Sequence, residues 1–491
     1  MDILNKLRGL NSEGKDSLIA SVFFIFQFTI NYKFSYPNLR PDTTLVFLQP
    51  IRFLFEHGTF VRNTSSNFYT GNPFFTIPIF EIVGYTPMNF KLFMSVMMAL
   101  STVMIYFFYK KAFDRREAIS LILILFTLNT WLTFRYMDWT YILFFEALML
   151  YLYTSWIRNK NWTMYPLAFL SGLAFYFKTI ILYLVLGMLV NTIIEKGIGF
   201  IKEFELKQIT LVGICFLAGL LPFIIYSFYV KFDYLATASI SNSLLAVFIE
   251  RLKHIAVLSW PGIIDYNLGF GELPLYHTYI PLVVSGFLLS LRNKIKKKYA
   301  IIFGVIVILS LNVVYRTSYR QLIILMPFIP IFIYANLDIL SIDDNQKFYL
   351  ASVLALAIIF MTFYTVDYKM YGVESEWDVN PESYNVDNKL DLEGPVAVNY
   401  YDSYLRLSYD MDVKPLYFIS DNSSQTEYNP ILLKRNRSID LIPENTTFVL
   451  IEDDVCNSSD TRSCNPESEL EYKQCSTNGC GLKTQEVKDR L

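Results

Sequence analysis

The feature that most constrains this chain is a series of long apolar runs within residues 1–366. Each run is about 16–22 residues long, and a helix of about 20 apolar residues crosses the hydrocarbon core of a bilayer. This pattern excludes a soluble globular enzyme, a disordered protein and a nucleic-acid binder, and it predicts an all-α polytopic membrane protein. We place about 11 transmembrane helices, at residues 17–32, 89–109, 118–134, 140–157, 163–177, 179–196, 209–230, 277–291, 299–315, 321–339 and 348–366.

The charges divide the chain into two parts, although the whole carries a net charge of only −2. Residues 1–366 hold 30 Lys and Arg against 20 Asp and Glu, and residues 367–491 hold 12 against 24. The basic residues gather in the turns that are cytoplasmic if the N-terminus is inside, most densely at 292–298. The positive-inside rule therefore predicts a cytoplasmic N-terminus in the cell membrane. An odd number of spans then places residues 367–491 on the extracytoplasmic side.

The polar tail has the pattern of a small folded domain. Residues 395–399 and 447–451 are typical of short buried strands, and the segment 401–409 between them favours a helix. The sequence therefore predicts a transmembrane domain, residues 1–366, with a long first outer loop at 33–88. It also predicts a small extracytoplasmic α/β domain, residues 367–491.

Cysteines are concentrated at the end of this tail. Four of the five in the chain lie there, at Cys456, Cys464, Cys475 and Cys480. An even, clustered set in an oxidising compartment predicts two disulfides, although three pairings are open. A zinc site is the alternative, but spacings of eight and five residues fit zinc ribbons poorly.

The first outer loop is the first place where chemistry could occur. It has about 56 residues, and loops of that length are usually functional. Asp42 stands in it just before an amphipathic stretch, residues 45–55, that would lie in the membrane interface. One interpretation is that Asp42 caps a helix there, and the other is that it is a catalytic carboxylate.

Other charged residues recur at the same membrane level. Asp138 lies in the short outer turn between spans 3 and 4, where an ion pair with Arg135 would also explain it. Lys178 lies at the outer turn between spans 5 and 6, and Arg316 and Arg320 flank the turn before span 10. Taken singly, each cation could simply extend to the interface. Together they could form a cleft that holds an anionic lipid headgroup beside a base.

One ionisable residue lies inside a span. Glu146 falls within the apolar run 140–157. Since a carboxyl group is costly in lipid, Glu146 should face the interior of the bundle or a water-filled cavity.

The order of these features resembles a known family, the C-type glycosyltransferase superfamily of multi-span enzymes that use polyprenyl-phosphate-linked sugars. The dolichyl-phosphate-mannose protein mannosyltransferase branch is the most similar. The resemblance covers roughly residues 17–340. Its residues are Asp42, Gly58-Thr59-Phe60, Asn72-Pro73, Gly84, Lys91-Leu92-Phe93, Asp138, Gly172 to Lys178, Arg320, Pro327 and Pro330. Asn72-Pro73-Phe74 replaces the family's frequent His-Pro-Pro, and Lys91 replaces an Arg, so the branch stays open.

The resemblance implies a membrane glycosyltransferase that moves a sugar from a polyprenyl-phosphate donor to an extracytoplasmic acceptor with inversion. The acceptor would be a glycan, a lipid or a protein, and nucleic acid has no role. Asp42 and Asp138 would be catalytic, and Lys178, Arg316 and Arg320 would bind the donor phosphate. A carboxylate can serve as the base, and cations suit a phosphate leaving group. The scheme requires no cofactor and no metal, although two outer carboxylates could bind a divalent ion.

Alternatives from other classes are a transporter or a lipid- or glycan-handling membrane protein without transferase activity. Such proteins place charges mid-membrane in broken helices and often have internal repeats. We find no repeat, and the charges cluster at one face. A third alternative is a membrane anchor for the tail, but eleven spans are far more than anchoring requires.

Overall fold

The structure of this chain is a computed structural model. It describes residues 11–34, 79–80, 82–84, 87–128, 131, 140–158, 160–177, 180–197, 205–230, 276–310 and 319–370, together with 396–398, 416–418, 448–451, 475–476 and 479–483. The chain divides into two compact units. The first comprises residues 1–35 and 92–374, and the second comprises residues 36–91 and 375–491.

The first unit is helical throughout its described residues. Its α-helices are α1 (Ser12–Phe34), α2 (Pro87–Ala112, which begins within the second unit), α3 (Arg115–Thr127), α4 (Thr140–Ile157), α5 (Met164–Phe177), α6 (Ile180–Lys196), α7 (Leu206–Val230), α8 (Tyr276–Arg292), α9 (Lys297–Ser310), α10 (Ile329–Ala335) and α11 (Asp344–Met370). Three 3₁₀-helices accompany them, at Asn161–Thr163, Tyr319–Phe328 and Asn336–Ile339.

The mainly helical architecture agrees with the sequence prediction, and helical residues overlie each predicted span. Two segments of the described residues are both long and apolar enough to cross a membrane, Leu92–Ala112 in α2 and Leu206–Ile225 in α7. The number of membrane crossings therefore stays a prediction. Residues 178 and 179, between α5 and α6, lie outside the described residues.

The predicted span 321–339 differs in its helix type. Its first part is the 3₁₀-helix Tyr319–Phe328, followed by the short α10. Proline explains the change, because Pro327 and Pro330 have no N–H to donate to the preceding turn. A 3₁₀ run of this length is uncommon and often marks a functional segment. Residues 323–332 are all buried, so this irregular segment lies inside the helical unit.

Glycines allow two pairs of helices to approach closely. A Cβ atom on Gly172 of α5 would lie 2.1 Å from the carbonyl oxygen of Phe216, and one on Gly219 of α7 would lie 2.0 Å from that of Phe169. Gly286 of α8 has the same role, since its Cβ would lie 1.8 Å from the carbonyl oxygen of a residue in α10. Small residues at crossings are typical of helix packing in membranes, where backbone proximity replaces the hydrophobic effect.

The first ionic cluster joins α1, α2 and α3 around Asp16, whose exposure is only 2%. Arg115 Nε donates to Asp16 Oδ1 at 2.6 Å, and the Tyr106 hydroxyl donates to the same oxygen at 3.1 Å. Lys110 Nζ donates to the other carboxylate oxygen. The buried carboxylate is therefore held by two cations and a phenol.

We expect Asp16→Asn to lower the free energy of unfolding by about 2 kcal/mol at neutral pH, because it weakens two charge-assisted hydrogen bonds. Burial raises the pKa of Asp16, but hydrogen bonds from Arg115, Lys110 and Tyr106 lower it more, so the net pKa lies below the usual 3.8. A folded pKa below the unfolded one stabilises the fold above about pH 4, and this stabilisation is lost as the pH falls through the folded pKa. Thermal unfolding against pH should show the two proteins converging in acid. A difference that is constant with pH would contradict this account.

A second ionic cluster surrounds Lys296, which is 5% exposed. Its Nζ lies 2.8 Å from Asp338 Oδ2 and 3.4 Å from Glu117 Oε1, and 5.0 Å from the centre of the Tyr334 ring. Lys347 approaches the other oxygen of Asp338 at 3.4 Å. This cluster connects α3 to the segments that precede α9 and α11.

The second unit contains, in its described residues, one sheet of five short strands. They are β1 (Val396–Val398), β2 (Leu416–Phe418), β3 (Phe448–Ile451), β4 (Cys475–Ser476) and β5 (Gly479–Lys483), in the order β2-β1-β3-β5-β4. The central β1 is parallel to β2 and β3, and β5 is antiparallel to β3 and β4. Strands β1 and β3 lie where the sequence predicts them. The predicted helix at 401–409 lies outside the described residues.

Candidate active site

Hydrogen bonds show which helix ends of the first unit meet. Arg158 Nη2, just after α4, donates to the carbonyl oxygen of Ala112 at the end of α2 at 2.8 Å. The Tyr153 hydroxyl of α4 donates to the carbonyl oxygen of Met188 in α6 at 3.1 Å. The Thr154 hydroxyl lies 3.3 Å from that of Tyr299, near the start of α9. The ends of α2 and α4, the later part of α6 and the start of α9 therefore lie together. We call this end of the unit the ionic end, because it also holds Lys110, Arg115 and Asp16.

The opposite end follows from helix direction. The hydroxyl of Thr140, at the start of α4, lies 2.9 Å from the sulfur of Met94 in the first half of α2. The start of α6 and the end of α9 lie at this end too, because their other ends lie at the ionic end. The Tyr109 hydroxyl, near the end of α2, donates to the carbonyl oxygen of Pro327 at 2.6 Å. The 3₁₀-helix Tyr319–Phe328 therefore begins toward this opposite end, which we call the site end.

Four of the five predicted site residues are next in the sequence to helix ends that lie at the site end. Asp138 precedes α4 by two residues, Lys178 separates α5 from α6, and Arg316 precedes the 3₁₀-helix. All three lie outside the described residues. Arg320 is the second residue of that 3₁₀-helix, and its side chain is not among those described. The structure places the starts of α4, α6 and the 3₁₀-helix toward one end of the first unit, and the grouping of the four residues stays a prediction.

Asp42 is the fifth predicted site residue. It lies outside the described residues, within the second unit. The preceding helix α1 runs from the ionic end, where Asp16 is bound, toward the site end.

Glu146 of α4 is fully buried, with 0% exposure, and so it faces the interior as predicted. Among the described residues neither of its carboxyl oxygens has a hydrogen-bond partner. An ionisable group with unused hydrogen-bonding capacity inside a membrane bundle is typical of a functional interior.

Sequence reasoning missed Tyr109, which fixes the inner part of the 3₁₀-helix through Pro327. An aromatic residue in an apolar run is indistinguishable from ordinary core in a single sequence, so no signal could have found it. It also missed the burial of Lys296, which the sequence assigns to an exposed basic turn. Within the described ranges, no group of three or more His, Cys, Asp or Glu side chains could hold a metal ion.

A solved structure has the same fold. It is the crystal structure of ArnT from Cupriavidus metallidurans bound to undecaprenyl phosphate, with a TM-score of 0.62 over 96% of this chain and 98% of that chain. The two sequences are 12% identical, so the likeness shows the fold alone. No protein-family model and no curated protein matches the sequence. The matched fold extends along nearly the whole length of both chains.

Proposed function

We propose that this chain is a membrane glycosyltransferase that transfers a sugar from a polyprenyl-phosphate donor to an acceptor on the extracytoplasmic side. The observation that carries the proposal is the fold shared along almost the whole length with ArnT, a protein whose structure was solved with undecaprenyl phosphate. That ligand is a polyprenyl phosphate, the lipid class on which the C-type superfamily carries its sugars. The sequence resemblance and the shared fold therefore point independently to the same lipid.

The helix ends at the site end support the proposed residue roles. Lys178, Arg316 and Arg320 are next in the sequence to helix ends that lie there, and cations at one level would suit the phosphate of a lipid donor. Asp138 comes from a third turn, the one that precedes α4.

The proposed reaction is one displacement at the anomeric carbon. The acceptor oxygen forms a bond to that carbon while its proton passes to the Asp42 carboxylate. The bond between the anomeric carbon and the phosphate oxygen breaks, and the electron pair leaves with the lipid phosphate. Lys178 and Arg320 stabilise the charge that develops on that phosphate. A single displacement inverts the configuration of the sugar, and the roles require no metal.

Two further parts of the proposal concern the tail. The Lys and Arg distribution supports a cytoplasmic N-terminus and an extracytoplasmic tail. We also propose two disulfides among the four tail cysteines. The antiparallel register of β4 and β5 supports one pair, because it sets Cys475 directly opposite Cys480. Directly opposed residues have Cα atoms about 4.5–5.5 Å apart, within the range that a disulfide bridges.

The test is transfer from a panel of labelled polyprenyl-phosphate sugars, dolichyl-phosphate mannose included, to added acceptors in proteoliposomes. We expect one donor to lose its label to an acceptor. Lys178→Gln and Arg320→Gln should each lower kcat/KM for that donor by about tenfold to a hundredfold, because each removes a charge-assisted contact to phosphate. Arg292→Gln is the matched control, since it removes an exposed cation from the ionic end.

Two outcomes would contradict the proposal. Translocation of an intact donor without loss of label would indicate a transporter. Equal effects of Lys178→Gln, Arg320→Gln and Arg292→Gln would indicate a general effect of surface charge rather than phosphate binding.

A further inference from the structure

Three cations converge at the ionic end without a carboxylate among them. Arg158 is fixed there by the bond from its Nη2 to the carbonyl oxygen of Ala112, the last residue of α2. Lys111 precedes that residue, and Lys160 follows Arg158 by two positions. Burial lowers the pKa of Lys111, and the positive charges of Lys160, Arg158 and Lys110 lower it further. In the described part of the chain, neither Lys111 nor Lys160 has an ion-pair partner.

The neighbouring cations show how this protein neutralises such charges elsewhere. Lys110 and Arg115 share the carboxylate of Asp16. Lys296 is paired with Asp338, and Lys298 lies 3.3 Å from Glu195. The set of Lys111, Arg158 and Lys160, which we call the cation triad, lacks the acidic residue that these clusters contain. Like charges held together repel one another, and an external anion would remove that cost.

An aromatic side chain locates the triad relative to the membrane. Trp162 lies in the 3₁₀-helix Asn161–Thr163 directly after Lys160, and 62% of its surface is exposed. Exposed Trp side chains concentrate at the level of lipid headgroups, where an apolar ring with one N–H donor is favoured. The triad therefore lies at the depth where phosphate groups of phospholipids occur. The positive-inside rule makes this the cytoplasmic leaflet.

We propose that Lys111, Arg158 and Lys160 form a binding site for the phosphate of an anionic phospholipid, with Trp162 packed beside its glycerol and upper acyl region. The lipid headgroup supplies the negative charge that the triad lacks. This site is separate from the proposed transfer reaction, because it lies at the other end of the same helices. A neutral or zwitterionic lipid would leave the triad uncompensated, so the site selects for net negative charge.

The test is a titration of the purified full chain in detergent with phosphatidylglycerol, followed by native mass spectrometry, which counts bound lipids. The variant Lys111→Gln/Arg158→Gln/Lys160→Gln should bind the first lipid roughly a hundredfold more weakly, since each basic residue near a surface contributes about fivefold. Phosphatidylcholine should bind both proteins equally weakly. The matched control Arg292→Gln/Lys294→Gln/Lys297→Gln removes the same charge from exposed positions at the same end and should bind like the parent protein.

Several results would contradict the proposed phospholipid site. Equal losses of lipid affinity in the two triple variants would show diffuse electrostatic attraction of the lipid to basic residues. No loss of lipid affinity in either variant would show that the triad binds no lipid. Displacement of the lipid by millimolar glycerol phosphate at equal strength would assign the triad to a soluble phosphate. If the triad variant does not fold, the single exposed change Lys160→Gln should still weaken binding about fivefold. Lys160→Arg keeps the charge and should retain binding, and its failure to do so would also contradict the proposal.

Discussion

Asp42→Asn should reduce sugar transfer by about 10²–10⁴-fold while the protein stays folded, because a positioned base typically contributes that much to a rate. The substitution keeps the size and the capping ability of the side chain and removes only the proton acceptor. Initial rates in proteoliposomes, with the donor identified in the panel, measure the effect. Thermal unfolding of the variant should match that of the parent within about 1 kcal/mol.

The comparison that isolates the role of Asp42 uses variants at two other predicted site residues. Asp138→Asn should be milder, since its carboxylate assists rather than accepts the proton. Lys178→Gln should act mainly on use of the donor, so its KM should change more than that of Asp42→Asn. Near-normal transfer by Asp42→Asn would show that Asp42 only caps the segment that follows it.

The largest effect on stability should come from Gly219→Ala. Its new Cβ would lie 2.0 Å from the carbonyl oxygen of Phe169 and 3.0 Å from the amide nitrogen of Leu173, both backbone atoms of α5. Since no side chain can move aside, α5 and α7 must separate. We expect a loss of about 3 kcal/mol or failure to fold, at the upper end of the usual cost of overpacking.

The matched control lies on the same helix. A Cβ on Gly213 of α7 would have no other atom within 4 Å, so Gly213→Ala should be neutral or stabilise the helix by up to about 1 kcal/mol. Chemical unfolding in mild detergent, followed by circular dichroism, compares the two variants. Similar stabilities for Gly219→Ala and Gly213→Ala would show that α5 and α7 do not cross at these glycines.

The helices were predictable because each depends on a long apolar run, which one sequence displays directly. The 3₁₀-helix at 319–328 was not predicted, since its apolar content is that of an α-helix and only the proline spacing departs from it. The crossing at Gly172 and Gly219 depends on which helices become neighbours, and a pattern within one helix does not contain that information. Strand β2 was not predicted, because it is as short as β1 but lacks the valines that indicate a strand there.

The grouping of four candidate site residues rests on a topological expectation. If successive spans alternate in direction, residues in every second turn share a membrane level, and Asp138, Lys178, Arg316 and Arg320 are all in such turns. The described helix ends next to them lie toward one end of the first unit, and the positions of the residues themselves stay a prediction. The burial of Lys296 was not predictable, because its partners Asp338 and Glu117 come from distant parts of the chain. The location of Asp42 relative to the other four residues could not be predicted in this way, because Asp42 lies in a long loop rather than in a short turn.

The ion pairs of the first unit give its helices unequal stiffness along their length. At the ionic end, Asp16 and Lys296 each join several segments through charged contacts that are largely shielded from solvent. At the site end, the described contacts between helices are apolar or single hydrogen bonds such as that of Thr140. Helices that are joined by ion pairs at one end can separate at the other end without breaking those ion pairs. On the proposed function, we therefore expect the donor lipid to enter and leave at the site end while the helices stay joined at the ionic end.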